Sequence, residues 1–583
     1  MADTRDLQAR IYRGLVVLLF GIVVVNLFQM QIVHNDEYRQ QAAQNRQERV
    51  RVRAPRGRIL DREGRVLADN VFKADITLPR SSLGDDGPDS TLVTLMDWFS
   101  LEPESTLARL RRQLEAGRAR LVLVSDASMP QLAAVEERAR DLPGARVEAE
   151  ARRRYPFGPM FAHLIGYTGE VSAAEVDTAG DFPLYRPGDA IGREGVESAR
   201  EEDLRGQAGW YLREVNARGR VVGTREVALL EVLPGRDGQL TLSAELQDSL
   251  VTAMAGRAGC AVALSLPDGA VLAAASLPTF DSNIFSRGIS SGEWNALLSD
   301  PRHPFLNRLV QATYPPGSPY KIVTSLAALE NRVATGSTSY EPCDGSYRFG
   351  NREFRCWKRT GHGELDHSGA LIHSCDTFYY QVIQRLDLTK MREVALELGL
   401  GRTTHSPFKG ETVGIIPDDD WYDRRFGEGR WTRGVLLNNS IGQGEILVTP
   451  LQMGVMTARV AVGDANLAPH FFLGEVPAPP TPLSFNASNV DWVRRTMTRV
   501  VDMGTGTRAR LEAVEVAGKT GTAENPHGDD HAWFVCFAPA SDPEVAMAII
   551  MENAGHGGAV AAPVAARWLE SFFSWRDRGE EDR

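Results

Sequence analysis

Two serine–lysine pairs with the spacing S-x-x-K are the residues of this sequence best suited to covalent chemistry. Ser318 and Lys321 precede eight residues without a helix breaker, which predicts a helix starting near the pair. Residues three apart on one helix share a face, and a lysine held neutral in a pocket can take a serine proton. Ser406 and Lys409 are followed by glycines, which predict a loop. We therefore predict Ser318 as the nucleophile and Ser406 as a surface-loop residue.

Two further motifs follow the first pair. Ser374 and Asp376 precede a segment with helical character, and Lys519, Thr520 and Gly521 lie in a strand-like run. A glycine on a strand lets a ligand approach the backbone closely. Two structural alternatives compete with these readings: Ser374 as a plain helix N-cap, and Lys519 as an exposed strand lysine.

Charge composition limits the possible functions. The 583 residues include 76 acidic and 65 basic residues, a net charge of −11. Nucleic-acid-binding domains are usually basic, so we expect no nucleic-acid partner. Only six of the basic residues are lysines, and since arginine does not lose its proton in proteins, a neutral-amine base has to come from these six.

The three motifs stand in the order S-x-x-K, S-x-[DN] and K-T-G, which is the signature of serine penicillin-recognising enzymes. Ser374 lies 56 positions after Ser318, and Lys519 follows 145 positions later. The chain resembles the class B penicillin-binding proteins. Asp376 in the second motif, with Cys356-Trp357 and Gly361-His362-Gly363, resembles the members that act in cell elongation. Further matching stretches are Arg56–Ala68, Arg154–Gly169, Gly192–Gly209, Ser440–Glu445 and Thr449–Met453.

The resemblance implies a role for each motif residue. Ser318 is implied to form the acyl-enzyme, Lys321 to be its base, and Ser374 to relay protons within a network held by Asp376. Lys519 and Thr520 are implied to bind the substrate carboxylate on the strand that continues through Gly521 and Thr522. The backbone N–H groups of Ser318 and Thr522 are implied to form the oxyanion hole.

The resemblance also implies function and partners. It predicts a serine-type D-Ala-D-Ala carboxypeptidase/transpeptidase that cross-links peptidoglycan stem peptides without a catalytic cofactor and is inhibited by β-lactams. Expected partners are a SEDS-family membrane glycosyltransferase, rod-complex scaffold proteins and the membrane. The alternatives are a septal, division-specific homologue, a β-lactam sensor, a scaffold that activates a glycosyltransferase, and a β-lactamase.

The N-terminal segment predicts a membrane anchor. Residues 11–33 are apolar enough to span a bilayer, and residues 26–41 lack the small-residue site of a cleaved signal peptide. Arginines flank both ends, so the positive-inside rule does not fix the orientation. We expect a single-pass inner-membrane protein with its catalytic domain in the periplasm.

The remaining sequence predicts an α+β fold. The predicted domains are a cytoplasmic tail (1–10), the anchor (11–33), a pedestal, or dimerisation, domain (34–235), a transpeptidase domain with an antiparallel sheet flanked by helices (236–575) and a tail (576–583). Arg56–Ala68 predicts a hairpin, residues 91–150 predict mainly helix, and strand-like runs at both ends of the catalytic domain predict a single shared sheet.

Three of the five cysteines predict a metal site. Cys343, Cys356 and Cys375 fall within 33 positions, with His362 between the second and third. Three thiolates and one imidazole form a closed tetrahedral set suited to structural zinc. Glu341 or Asp344 could replace Cys343 as a ligand. The alternative is a Cys343–Cys356 disulfide, which an oxidising compartment permits.

Overall fold

The computed structural model describes residues 2–36, 47–84, 87–118, 120–176, 182–214, 227–526 and 528–581. The chain divides into two compact units. One unit comprises Met1–Arg56, Asp177–Leu184 and Arg205–Gly235; the other comprises Gly57–Val176, Tyr185–Leu204 and Arg236–Arg583. Residue 1 of the predicted N-terminal tail and residues 582–583 of the predicted C-terminal tail lie outside the described residues. The predicted domain borders stay a prediction.

Strands occur throughout both units. They are β1 (Gln47–Val52), β2 (Ile59–Leu60), β3 (Val66–Pro79), β4 (Leu83–Gly84), β5 (Gly87–Pro88), β6 (Arg120–Val124), β7 (Arg146–Arg154), β8 (Thr168–Glu170), β9 (Ala190–Gly192), β10 (Gly209–Glu214), β11 (Val227–Leu230), β12 (Gly238–Gln239), β13 (Gly259–Ser265), β14 (Val271–Leu277), β15 (Ser346–Phe349), β16 (Arg352–Arg355), β17 (Ala517–Ala523), β18 (His531–Ala538) and β19 (Val545–Met551).

The α-helices alternate with these strands. They are α1 (Ala2–Phe28), α2 (Ser90–Trp98), α3 (Pro103–Glu115), α4 (Met129–Glu137), α5 (Ala162–Ile165), α6 (Gly195–Ala199), α7 (Glu201–Leu204), α8 (Ala244–Met254), α9 (Asn283–Ser286), α10 (Ser291–Ser299), α11 (Lys321–Glu330), α12 (His367–Ile372), α13 (Asp376–Ile383), α14 (Leu388–Glu397), α15 (Asp419–Phe426), α16 (Gly434–Ser440), α17 (Pro450–Val462), α18 (Ala487–Met503) and α19 (Gly557–Glu581). The predicted border at residue 575 therefore falls inside α19.

The first unit contains the predicted anchor and a small sheet. Ile11–Val33 is long and apolar enough to cross a membrane, with a mean hydropathy of 2.3. None of this segment is buried inside the protein, as expected for a span whose apolar side chains face lipid. Strands β1, β10 and β11 form an antiparallel three-stranded sheet in the same unit.

The N-terminal part of the second unit is a mixed sheet packed against helices. Strands β2 and β3 form the predicted hairpin, and β3 pairs further on with β6 and β7. The expectation of mainly helix over residues 91–150 is wrong in part, because β6 and the first half of β7 lie within that range. In β6, Leu121 and Leu123 are buried while Arg120, Val122 and Val124 are half-buried. The sequence-based prediction missed this strand because its period-two pattern is short and the charged residues around it are also typical of an exposed helix face.

A five-stranded antiparallel sheet, in the order β14-β13-β19-β18-β17, forms the centre of the second unit. Strands from both ends of the segment meet at the β13–β19 pair, which confirms the predicted shared sheet. Alternate residues face opposite sides: Val262 packs into one core with α17, whereas Ala261 packs into another with α8 and α19. Helices and apolar cores cover both faces of this antiparallel sheet, which confirms the predicted α+β class. The edge strand β17 is held in place by this packed sheet.

Candidate active site

Ser318 lies at the start of a tight turn that leads into a buried helix. Ser318–Tyr320 form one 3-10 turn, and α11 begins at Lys321. Gly317 has a φ of +59°, and a Cβ at this position would lie 2.9 Å from the Thr522 carbonyl oxygen. The turn therefore requires glycine, and the close approach places the nucleophile turn directly against strand β17.

Ser374 brings the second motif to the nucleophile. Its hydroxyl donates a hydrogen bond to Ser318 Oγ at 2.9 Å. Ser374 has a φ of +56°, a left-handed conformation that costs a non-glycine residue roughly 1–3 kcal/mol and is often found at functional sites. The N-cap of α13 is Cys375 and not Ser374, so the reading of Ser374 as a plain N-cap is wrong.

Lys519 points into the same site from strand β17. Its ammonium group is fully buried and donates to Ser374 Oγ at 2.9 Å and to the Thr520 carbonyl at 3.0 Å. The alternative of an exposed strand lysine is therefore wrong. Burial lowers the pKa of Lys519 well below its usual range, and the nearby charge of Lys321 lowers it further.

Lys321 and Asp376 form a buried ion pair beside the two serines. Lys321 Nζ lies 2.6 Å from Asp376 Oδ1 and donates to the carbonyl oxygen of Ser374 at 2.9 Å and to its hydroxyl at 3.1 Å. Lys321 is completely buried. Both lysines therefore contact Ser374 Oγ, and Ser374 Oγ contacts Ser318 Oγ. The hydrogen-bonded route from the nucleophile to either amine passes through Ser374.

The remaining residues of the third motif line the edge of β17. Thr520 Oγ1 lies 2.6 Å from Thr505 Oγ1. A Cβ at Gly521 would lie 2.5 Å from Pro319 Cδ, so this glycine allows the nucleophile turn to pack on the strand. Thr522 Oγ1 lies 3.3 Å from His556 Nδ1. Thr505 and His556 were not predicted from the sequence, since no local motif marks them.

A buried network anchors the chain before the nucleophile and was also not predicted. Tyr314 donates to Glu552 Oε1 at 2.6 Å, and Arg308 Nε lies 2.9 Å from the same oxygen. Trp533 Nε1 donates to the Pro315 carbonyl at 3.0 Å. These bonds fix the segment that ends at Ser318 to strands β18 and β19.

The second serine–lysine pair lies outside this site. Ser406 and Lys409 are in a loop, as predicted, and Lys409 Nζ donates to the Arg193 carbonyl at 2.9 Å. No helix places the two side chains on one face, and neither contacts Ser374.

The four predicted metal ligands converge next to the second motif. One donor atom each from Cys343, Cys356, His362 and Cys375 lies within 4.8 Å of all the others. His362 Nδ1 is 3.6 Å from the sulfurs of both Cys343 and Cys356. All five cysteines are free thiols. The Trp357 backbone N–H, next to Cys356, donates to Asp376 Oδ2 at 2.9 Å, so the cluster adjoins the catalytic ion pair.

Comparison with known families agrees with this geometry. Residues 259–570 match the penicillin-binding protein transpeptidase domain, and residues 51–240 match the penicillin-binding protein dimerisation domain. The chain belongs to the penicillin-binding protein family. The first match spans the five-stranded sheet of β13, β14 and β17–β19 and all three motifs. The second spans the mixed sheet that contains β2, β3, β6 and β7.

Full-length relatives and solved structures narrow the comparison. The chain is 32% identical to the peptidoglycan D,D-transpeptidase MrdA of Acinetobacter baumannii, over 97% of this chain and 89% of that protein. It is 30% identical to MrdA of Escherichia coli K12, over 94% and 90% respectively. A complex between PBP2 and MreC from Helicobacter pylori contains a chain with 27% identity and a TM-score of 0.79, covering 91% of this chain and 99% of that one. A chain of a peptidoglycan synthase complex has 29% identity and a TM-score of 0.71, with 98% of both chains covered.

Proposed function

We propose that this chain is the peptidoglycan D,D-transpeptidase of cell elongation. The observation that carries the proposal is the convergence of Ser318, Ser374, Lys321 and Lys519 through hydrogen bonds of 2.9 to 3.1 Å. Relatives that cover nearly the whole chain carry that activity in their names. The apolar segment Ile11–Val33 suits a single-pass anchor, and the substrate lies in the periplasm, where we place the catalytic domain.

The first chemical step forms an acyl-enzyme. Ser318 Oγ attacks the carbonyl carbon of the penultimate residue of a donor stem peptide. The new C–O ester bond forms as the peptide C–N bond breaks, and the terminal D-alanine leaves as an amine. The Ser318 proton passes through Ser374 Oγ to a lysine amine and then to the leaving nitrogen. A β-lactam reacts in the same way, but its ring nitrogen stays attached.

The second step transfers the acyl group to another strand. The amine of an acceptor stem peptide attacks the ester, the C–N bond forms, the C–O bond breaks, and a proton from the amine returns to Ser318. Water can take the place of the amine, which gives carboxypeptidase activity. Ser374 contacts the nucleophile and both lysines, so it is suited to move protons in both steps.

The amines of Lys321 and Lys519 lie in different environments and have different proposed roles. We assign the proton-accepting role to Lys321, which becomes a neutral amine by passing its ammonium proton to Asp376, whose pKa is raised by burial. We assign the binding of the substrate carboxylate to Lys519 and Thr520. The bond between Thr520 and Thr505 orients the threonine hydroxyl. The backbones of the nucleophile turn and Thr522 lie side by side, which suits an oxyanion hole built from the N–H groups of Ser318 and Thr522.

The decisive experiment is labelling of the detergent-solubilised full chain with a fluorescent penicillin, followed by peptide mapping. We expect the label on Ser318. Ser318→Ala should abolish labelling, whereas the matched control Ser406→Ala, which removes the other S-x-x-K serine, should label as the wild type does. Labelling of Ser318→Ala would refute the mechanism. Localisation to the sidewall, and not to the septum, is the expected result for an elongation enzyme.

We also propose that the cysteine cluster holds a structural zinc ion. A tetrahedral zinc with Zn–S of about 2.3 Å and Zn–N of about 2.1 Å separates a sulfur from a nitrogen by about 3.6 Å. His362 Nδ1 stands at that distance from both Cys343 and Cys356. A disulfide between these cysteines leaves His362 without a role. Bound zinc would brace the loop before Trp357 and the start of α13 at Cys375.

Elemental analysis and thiol counting test the zinc proposal. We expect about one zinc per chain, and Cys343→Ser should lose both metal and thermal stability. Cys260→Ser is the matched control, because Cys260 is buried in strand β13 away from the cluster. Metal-free protein with two thiols missing under non-reducing conditions would replace the zinc with a Cys343–Cys356 disulfide.

The similar structures also suggest partners. One of these neighbours is PBP2 in complex with MreC, and another belongs to a peptidoglycan synthase complex. We propose that this chain likewise binds a rod-complex scaffold protein and a SEDS-family glycosyltransferase. Co-purification from membranes tests both interactions, and deletion of residues 2–33 should remove the contacts that depend on the anchor.

A further inference from the structure

Three basic side chains gather beside the second catalytic motif. Lys358, His373 and Arg499 are all exposed, and together we call them the cationic rim. His373 directly precedes Ser374 in the chain. Lys358 follows Trp357, whose indole N–H donates to the His373 carbonyl, and Arg499 contacts α12, which ends at Ile372. All three groups therefore lie around the second motif. The rim therefore adjoins the serine that relays protons in the proposed reaction.

The architecture holds the rim in place. Trp357 Nε1 donates to the His373 carbonyl at 3.1 Å, and its backbone N–H donates to Asp376 at 2.9 Å. Arg499, on α18, donates to Ser368 Oγ on α12 at 2.9 Å, and α12 ends at the residue before His373. The Trp357 indole remains 53% exposed, so an apolar surface lies beside these three side chains.

Among the residues that the structure describes, the rim has no anionic partner. Across the described ranges, no carboxylate lies within the 4.0 Å ion-pair distance of Lys358, His373 or Arg499. The chain as a whole carries an excess of 11 acidic residues, so unpaired cations beside the active site are unexpected from composition. Like charges placed together repel one another unless an anion joins them.

We propose that the cationic rim binds a carboxylate of the acceptor stem peptide, near its attacking amine. The proposal rests on the proposed function, in which Lys519 and Thr520 already bind the carboxylate of the donor, leaving the acceptor as the second source of negative charge. Lys358 and Arg499 are the specificity-determining residues, because their side chains offer several N–H donors to a carboxylate. The exposed Trp357 indole packs against the aliphatic part of the acceptor.

Partition of the acyl-enzyme between two acceptors tests the proposal. The full chain is acylated with a thioester donor in the presence of D-alanine or D-alaninamide. D-alanine has a carboxylate where D-alaninamide has an uncharged amide. Mass spectrometry gives the ratio of transfer product to hydrolysis product. Because both acceptors share one acyl-enzyme, differences in acylation cancel. Wild type should favour D-alanine, and this preference should fall as the salt concentration rises.

Neutral variants then identify the residues. Lys358→Met and Arg499→Met should each reduce the preference for D-alanine by about fivefold, the upper range for one exposed charge pair, and leave transfer to D-alaninamide unchanged. Arg495→Met is the matched control, one turn earlier on α18. Lys390→Met is the control for Lys358, because Lys390 is an exposed lysine paired with Glu393.

The outcomes separate this proposal from the proposed function. Absence of fluorescent penicillin labelling overturns the function itself. Normal labelling with equal use of both acceptors overturns the carboxylate site alone. If Arg499→Met releases zinc but keeps the wild-type preference, the rim serves as the counter-charge of the cysteine cluster, and the proposal is wrong.

Discussion

The buried ion pair between Lys321 and Asp376 gives a sharp test of the site's energetics. The two groups lie 2.6 Å apart, and Lys321 has no exposed side-chain surface. Asp376→Ala leaves the ammonium buried without its partner, a change that typically costs about 3–5 kcal/mol. We therefore expect the free energy of unfolding to fall by that amount. For a domain of more than 300 residues, the unfolding entropy is about 0.65 kcal/mol/K, so the melting temperature should fall by roughly 4–8 °C.

An exposed ion pair provides the comparison. Lys390 and Glu393 form a pair at 2.9 Å in which both side chains are about half exposed. Glu393→Ala removes the same kind of group, but surface pairs are worth only about 0–1 kcal/mol. Thermal unfolding of the solubilised full chain, followed by circular dichroism, measures both variants. The double variant Lys321→Met/Asp376→Leu should regain much of the lost stability, because no buried charge remains.

Two outcomes for the Lys321–Asp376 variants would contradict this reasoning. If Asp376→Ala lowers the melting temperature no more than Glu393→Ala does, the buried pair does not stabilise the fold. A double variant as unstable as Asp376→Ala would show that the loss comes from packing and not from the unpaired ammonium.

Three further predictions concern other parts of the chain. Gly521→Ala should slow penicillin acylation at least tenfold with the fold retained, because its Cβ would lie 2.5 Å from Pro319 Cδ and 2.8 Å from Trp533 Cβ; wild-type rates would contradict this close packing. Burial, with the neighbouring carboxyl of Asp61, raises the pKa of Glu63 from 4.5 to about 7. The protonated form therefore contributes its full stability below pH 4.5, and this contribution is lost as the pH rises through 7. Glu63→Gln should thus match wild-type stability near pH 4 and exceed it at pH 8, and a pH-independent difference would contradict the shift. In spheroplasts, added protease should digest everything beyond the anchor at residue 33; full protection in sealed spheroplasts would reverse the orientation.

The catalytic motifs were predictable from the sequence because each is local. The spacing of Ser318 and Lys321 places them on the same side of one helix start, so short-range geometry is sufficient. The left-handed backbone of Ser374 and the burial of Lys519 were not predictable, since both depend on packing against residues more than 50 positions away. His556 and Thr505 belong to no local pattern and reach the site only through the fold.

The same distinction applies to the rest of the fold. The strand-like runs at both ends of the catalytic domain were predicted because β13, β18 and β19 are mainly apolar, whereas β17 was placed by the motif Lys519-Thr520-Gly521. Strands β6 and β7 were missed within a charged, helix-favouring region, where tertiary pairing with β3 outweighs local preference. The four cysteine-cluster residues were grouped correctly because their side-chain chemistry, and not their secondary structure, predicts the contact.

The β13–β19 pair also determines when the protein can become active during its synthesis. Gly259 is paired with Met551 across the centre of the sheet, so the sheet is incomplete until nearly the whole chain has been made. Strand β17 reaches β13 only through β18 and β19, which means that Lys519 cannot be fixed opposite Ser318 in a shorter product. Such distant pairing folds slowly. We therefore expect a chain that ends before β19 to present a serine that a β-lactam does not acylate, so that antibiotic labelling reports only molecules in which β19 has joined the sheet.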